Sequence, residues 1–221
     1  MRLLGRRLRA RSAAARGYRA AKPPSPATPW REARLAVVDL ETTGLEPRHD
    51  EIVSFAAVPI EGGRVSVGGI RTAIVRPATM PGGETIRIHG LRPMDLAEAP
   101  TLPEVLDLVL EALAGRTVVA HAAWVERGFL GPALRSAGVR LAEPMLDTAG
   151  LARHVLESEG AGERDTMPLS DAARRLGLPV HRPHVAEGDA LTTAQLFLAL
   201  VTHLERSEPQ TIGSLARLSG G

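Results

Sequence analysis

The chain has 221 residues, of which 44% are hydrophobic and 24% charged, enough apolar content to bury the core of one ordinary domain. It contains no cysteine, which excludes a disulfide scaffold, a Cys-ligated zinc or iron–sulfur centre and a thiol nucleophile. The net charge is only +2, and of the 27 basic residues Lys22 is the sole lysine, lying before Pro23, so no lysine-bearing phosphate loop can form.

Residues 1–30 hold Arg2, Arg6, Arg7, Arg9, Arg11, Arg16, Arg19 and Lys22 and no acid, a local charge of +8 against −6 for the remainder. This Arg/Ala-rich stretch ends in a Pro-rich segment and reads as a flexible tail and linker. Three readings of it stay open: a solvated leader, an arm that neutralises nucleic-acid phosphates, and a mitochondrial transit peptide. It lacks the apolar stretch of a secretory signal, and no run in the chain approaches the roughly 20 apolar residues of a membrane-spanning helix.

Leu35 to Glu41 is an apolar run ending in Thr42, Thr43 and Gly44 and reads as a buried strand. Glu51 to Ile60 and Arg64 to Val75 are rich in strand formers and are split by Gly62 and Gly63, a hairpin signal. Together they predict an antiparallel three-strand meander, followed by a loop over Pro77 to Gly83. Leu102 to Leu113 has helical apolar spacing and begins at Thr101 with Glu104 in its first turn. Thr117 to Ala122 reads as a strand, and Trp124 to Ala137 as a helix ended by Gly138. Met145 to Thr148 is a short strand leading into a helix that runs to about Leu156. Pro168 to Leu176 and Ala186 to Leu204 complete the helices. This order predicts an α/β fold, a mixed sheet of meander plus parallel strands flanked by helices. The expected division is a tail over 1–30, a domain over 31–206 and a short polar tail over 207–221.

Asp39 and Glu41 lie two apart on an otherwise apolar strand, which points both carboxylates to one face. Burying two unpaired carboxylates is costly, so either the strand end reaches water or something neutralises them. A lone D-x-E is a weak signal, but it does not stand alone. Asp39 to Leu45, Glu51 to Val53, Ile88 to Leu91, Val119 to Leu130, Leu146 to Thr148 and His184 to Thr193 occur in order across residues 35 to 204. The ordered set resembles the DEDDh, or DnaQ-like, 3′–5′ exonucleases.

That resemblance implies a ribonuclease H-like fold and a two-metal phosphodiesterase. Asp39, Glu41, Glu126 and Asp189 would hold two Mg²⁺ or Mn²⁺ ions, with Asp39 bridging, and His184 would be the general base. Main-chain groups around Thr42 and Thr43 would meet the terminal nucleotide, with Leu45 against its base. The implied partners are single-stranded 3′ ends, DNA favoured, and a DNA polymerase or repair complex; no membrane is involved. A stand-alone repair or trimming enzyme of the cytoplasm is the expectation, with targeting by residues 1–30 as the other option. The runner-up is a nuclease-like module that grips ends without cutting. Two positions depart from the family pattern: Glu126 stands where Asp is usual, and Ala122 where Asn is usual.

The remaining polar candidates read more blandly. His181 and His184 lack further zinc ligands, so His181 is expected in a surface loop. His121 either orients a neighbour or packs at a strand end, His89 fixes a loop, and Asp147 caps the helix after it. Gln195 to Leu198 resembles a clamp-binding box but has core spacing.

Overall fold

The computed structural model describes residues 12–156 and 167–220. Its centre is β1 (Leu35–Thr42), whose first four residues are all buried, as suits a strand covered on both faces. β1 pairs antiparallel with β2 (Ile52–Glu61) and parallel with β5 (Thr117–Ala120), and β5 pairs parallel with β6 (Leu146–Asp147). β2 turns through Gly62 and Gly63, both at positive φ, into β3 (Arg64–Val65). After a 3₁₀ turn over Val67–Gly69, β4 (Arg71–Ile74) also pairs with β2. The expected single third strand is therefore two pieces. Pro59 in β2 explains the break: its carbonyl accepts from Ser66 N–H, but it offers that side no N–H in return.

Helices cover both faces. α1 (Ala13–Ala20) precedes the sheet, and α2 (Gly83–His89) and α3 (Pro93–Leu96) follow β4. The Ile88 to Leu91 stretch, expected as loop, thus ends a helix that stops at Gly90 in the left-handed conformation. α4 (Leu102–Leu113) is started by Glu104, which accepts the Thr101 N–H at 2.7 Å. With α5 (Trp124–Ser136) it buries Ala36, Val38 and Leu40 of β1. The opposite face carries α6 (Thr148–Leu156), α7 (Leu169–Arg175) and the long α8 (Ala186–Leu204), packed over Leu35 and Val37. By the two-residue alternation, Asp39 and Glu41 share this α8 face.

The tails expected at both ends are packed structure where they are described. Ser12 caps α1, accepting the Ala15 N–H and donating to Asp107 of α4. Ala14, Ala15 and Tyr18 are buried, and the Tyr18 hydroxyl accepts the Ala142 N–H. Trp30 is fully buried against Phe197, and its indole donates to Glu205, which also pairs with Arg31 at 2.7 Å. Ile212 N–H donates to Thr28 O and Gly213 N–H to Pro26 O, so the N-terminal approach and α9 (Ile212–Leu218) hold each other. The sequence hides this packing because α1 offers mostly alanine as its apolar face, and because the partners of Ser12 and Trp30 lie 95 and 175 residues away. The arginines of residues 1–11 lie outside the described residues. No described helix is long and apolar enough to cross a membrane.

Candidate active site

The end of β1 and the start of α8 bring Asp39, Glu41 and Asp189 together, with one carboxylate oxygen of each within 4.8 Å of the others. All three are partly buried. Asp189 sits in the first turn of α8, where the helix dipole favours negative charge. Its Oδ2 accepts the backbone N–H of His184 at 2.7 Å. To make that bond His184 adopts φ 60°, and the approach loop crosses so close that a Cβ on Gly188 would overlap the His181 and Arg182 carbonyls. The His184 side chain itself is exposed.

Glu126 is not in the group of three, yet it belongs to the same electrostatic unit. It lies in the first turn of α5, is only 3% exposed, and its Oε2 is buried without a hydrogen-bond partner. Burial, then Glu126, Glu41 and Asp189 in that order, hold the Asp39 carboxyl well above the usual range. Burial and Asp189 push Glu41 up to about 7. Burial, then the charges of Asp147 and Glu41, push Glu126 up to about 8 against its own helix-end N–H. Burial also raises Asp189, opposed by the His184 N–H. Such a set resists full ionisation unless a cation joins it. The donors are all carboxylate oxygens, which suits hard divalent ions, and the orphaned Glu126 oxygen is consistent with a further ligand.

Asp147 has a wider role than capping. Its Oδ1 accepts the N–H groups of Ala149 at the start of α6 and of Ala122, while Oδ2 accepts Ala123 N–H. One carboxylate therefore fixes both the entrance to α5 and the start of α6. Ala122 is bent to φ 58°, a left-handed conformation that Asn adopts more readily than Ala, so the departure from the family pattern falls on a strained position.

The turn after β1 is equally braced. Thr42 Oγ1 donates to Gly44 O, Thr43 Oγ1 donates to Asp50, and Thr43 N–H donates to Glu51 O. Asp50 also accepts Glu46 N–H and presses so close to Gly44 that no Cβ fits there. Of the main-chain groups around Thr42 and Thr43 expected to meet a nucleotide, the Thr43 N–H is engaged within the turn, while Leu45 stands 62% exposed at its tip. Sequence reasoning missed Asp50; an Asp closing a turn seven residues after a Thr leaves no distinctive pattern.

Three further histidines, His121, His181 and His89, make local bonds away from the acidic group. His121 joins Thr148 Oγ1 through Nδ1 and Met167 O through Nε2, and so ties the end of β5 to α6, while burial lowers its pKa. His181 contacts Gln195 rather than His184, and His89 Nδ1 accepts Leu91 N–H within its turn. Leu196 and Phe197 are buried, in keeping with a core role for that stretch.

Residues 36–197 match the exonuclease family model of the RNase T type. The chain belongs to the DnaQ-like exonuclease family. It is 34% identical over 191 residues to a DNA polymerase III subunit epsilon-like protein of Rhodobacter capsulatus, covering 85% of this chain and 26% of that one. It is 30% identical over 189 residues to the 3′-5′ exonuclease DinG of Bacillus subtilis, covering 84% of this chain and 19% of the other. The chain thus spans about a quarter or less of these relatives. Among solved structures, Exonuclease X in complex with 5′ overhanging duplex DNA shares the fold, with a TM-score of 0.66 at 21% identity. That likeness covers 84% of this chain and 99% of the other. The acidic cluster lies within the family-matched region, at the ends of β1 and α8.

Proposed function

We propose that this protein is a metal-dependent 3′–5′ exonuclease that removes nucleoside 5′-monophosphates from single-stranded ends, DNA in preference to RNA, in repair or trimming. The observation that carries this reading is the convergence of Asp39, Glu41 and Asp189, backed by the buried, unpartnered Glu126. Asp39, Glu41 and Asp189 would hold two divalent cations, Mg²⁺ or Mn²⁺, with Asp39 shared and Glu126 completing the set from α5. When bound, such ions offset the charge that grows on the attacking and leaving oxygens of a phosphodiester. His184, exposed beside Asp189, takes the proton of the attacking water through its imidazole. The braced turn after β1 positions Leu45 against the terminal base. Polarity and a DNA substrate draw support from the names of the Bacillus and Rhodobacter relatives. A DNA polymerase or repair complex is the corresponding protein partner.

The test uses single-stranded DNA and RNA labelled at the 5′ end, with Mg²⁺ or Mn²⁺ and then with EDTA. A ladder shortening from the 3′ end, DNA faster than RNA, with release of 5′-monophosphates and arrest by EDTA, is the expected result. Binding without shortening would instead assign an end-gripping module.

A further inference from the structure

We infer that Trp124 is a stacking platform for a nucleobase of the strand held at the carboxylates; this rests on the nuclease reading above. The chain has only six aromatic residues, and Tyr18, Trp30, Phe55, Phe129 and Phe197 are all buried. Trp124 alone is exposed, at 56%. It contributes little to the core, and an indole left in water is costly in apolar surface.

Its placement gives it a use. Trp124 opens α5, two residues before Glu126, whose charge acts directly on Asp39. Residues two apart on a helix point to nearly opposite sides, so Glu126 is buried while Trp124 faces solvent. Gly128, one turn after Trp124 on nearly the same helical face, lies against Pro47 so closely that a Cβ there would stand 2.7 Å from the proline ring. The flank of α5 bearing Trp124 is therefore the flank that meets the Gly44–Asp50 turn. That turn carries Leu45, exposed and held by the Asp50 bonds. Side chains on a helix lean toward its N-terminus, so the indole stands over the entrance of α5, the end of the helix that also carries Glu126. Two exposed apolar groups, one aromatic and one aliphatic, thus stand on fixed elements at the rim of a phosphate-processing centre.

The chemistry that fits is a base with a free π face, as an unpaired strand provides and a duplex interior does not. Stacking of this kind tolerates every base, because each has a π face, so it selects strandedness rather than sequence. Trp124 would add to the grip of Leu45 on the terminal base by engaging that base or the next one in.

Binding is measured for the full chain in the Asp39→Asn background with Ca²⁺, by anisotropy of a 5′-labelled oligothymidylate and by tryptophan fluorescence. The second tryptophan, Trp30, is 1% exposed and serves as a silent reference. Stacking predicts fluorescence quenching by the normal strand, with little quenching by a strand abasic at its last two positions. Trp124→Ala should weaken binding roughly 5- to 100-fold and remove the discrimination against the abasic strand, while Trp124→Phe keeps most of both. Unchanged melting temperatures would show that the losses are not unfolding. If Trp124→Ala binds normal and abasic strands as the parent does, the inference is overturned while the nuclease reading stands. If the parent binds no strand and the wild type releases no nucleotide, both fall together.

Discussion

The backbone N–H of His184, not its ring, donates to Asp189 Oδ2 at 2.7 Å. The imidazole can therefore be deleted without removing the bond that holds the Asp189 carboxylate. His184→Gly and His184→Ala should both lose roughly 10²- to 10⁴-fold in kcat, the usual share of a general base, with the Mg²⁺ requirement unchanged. Glycine accepts φ 60° without strain and alanine does not, so the two variants differ in melting temperature but not in rate. Steady-state kinetics over a metal titration check this. A mutant whose metal requirement rises as much as its rate falls would assign His184 to holding the site rather than to proton transfer.

Metal-free protein should lose stability as pH rises. Glu41 and Glu126 are held at about 7 and about 8, above the ordinary 4.5. Between these values the native state keeps protons that the unfolded chain releases, so stability is full below about pH 4.5 and declines toward pH 8. A shift the size of that of Glu41 corresponds to on the order of 3 kcal/mol. Melting in EDTA should fall across this window, and Mg²⁺ or Mn²⁺ should restore most of it at the alkaline end. A flat EDTA profile would mean that neither burial nor the neighbouring charges hold protons on these carboxylates.

The elements that could be read in advance carry their own signals. Ala186–Leu204 and Leu102–Leu113 announce themselves by apolar spacing, and α4 also by the Thr101–Glu104 start. Asp39 and Glu41 were legible because a two-residue period on a buried strand leaves them one face. Asp50 and the full role of Asp147 were not, since their partners are backbone N–H groups that any residue supplies. The packed ends were hidden for a different reason. Tyr18 and Trp30 sit among arginines and prolines, and what buries them is α4, α8 and α9, far along the chain.

Those ends give the next prediction. Removing residues 1–30 deletes Ala14, Ala15, Tyr18 and Trp30 from the core and exposes the surfaces they cover. Trp30→Ala alone should cost about 3–5 kcal/mol, as large aromatic truncations do. Thermal melting should therefore fall in both variants, and weakened nucleic-acid binding by the truncated protein should be scored only after that loss is measured. An unchanged melting temperature in Trp30→Ala would contradict the packing described for Phe197 and Glu205.

Asp147→Ala strips the acceptor from three backbone N–H groups at once. The expected cost is roughly 2 kcal/mol or more, together with lower kcat as the α5 entrance that aims Glu126 loosens. Asp147→Asn can keep the Oδ1 bonds to Ala122 and Ala149 and lose only the one to Ala123, so it should fall between Ala and wild type in both measurements. Equal damage from Asn and Ala would mean that the negative charge, rather than the acceptor geometry, matters.

Glu126 separates stability from activity most sharply. Its buried carboxylate raises Asp39 through its charge, and one of its oxygens has no hydrogen-bond partner. Glu126→Gln removes the ionisation, so the metal-free variant should melt higher than wild type, by an amount that grows from about pH 4.5 and levels off above about pH 8. The same change should raise the metal concentration needed for activity and cut kcat. Glu126→Asp retains the charge but withdraws it by one methylene, restoring the residue usual at this position of the motif. It should keep substantial activity and shift the balance between Mg²⁺ and Mn²⁺, because Mg²⁺ tolerates little departure from octahedral geometry. Metal titrations of both variants beside EDTA melting curves test the pair of effects. If neither substitution alters metal dependence, Glu126 is a buried acid without a ligand role, and the site reduces to Asp39, Glu41, Asp189 and His184.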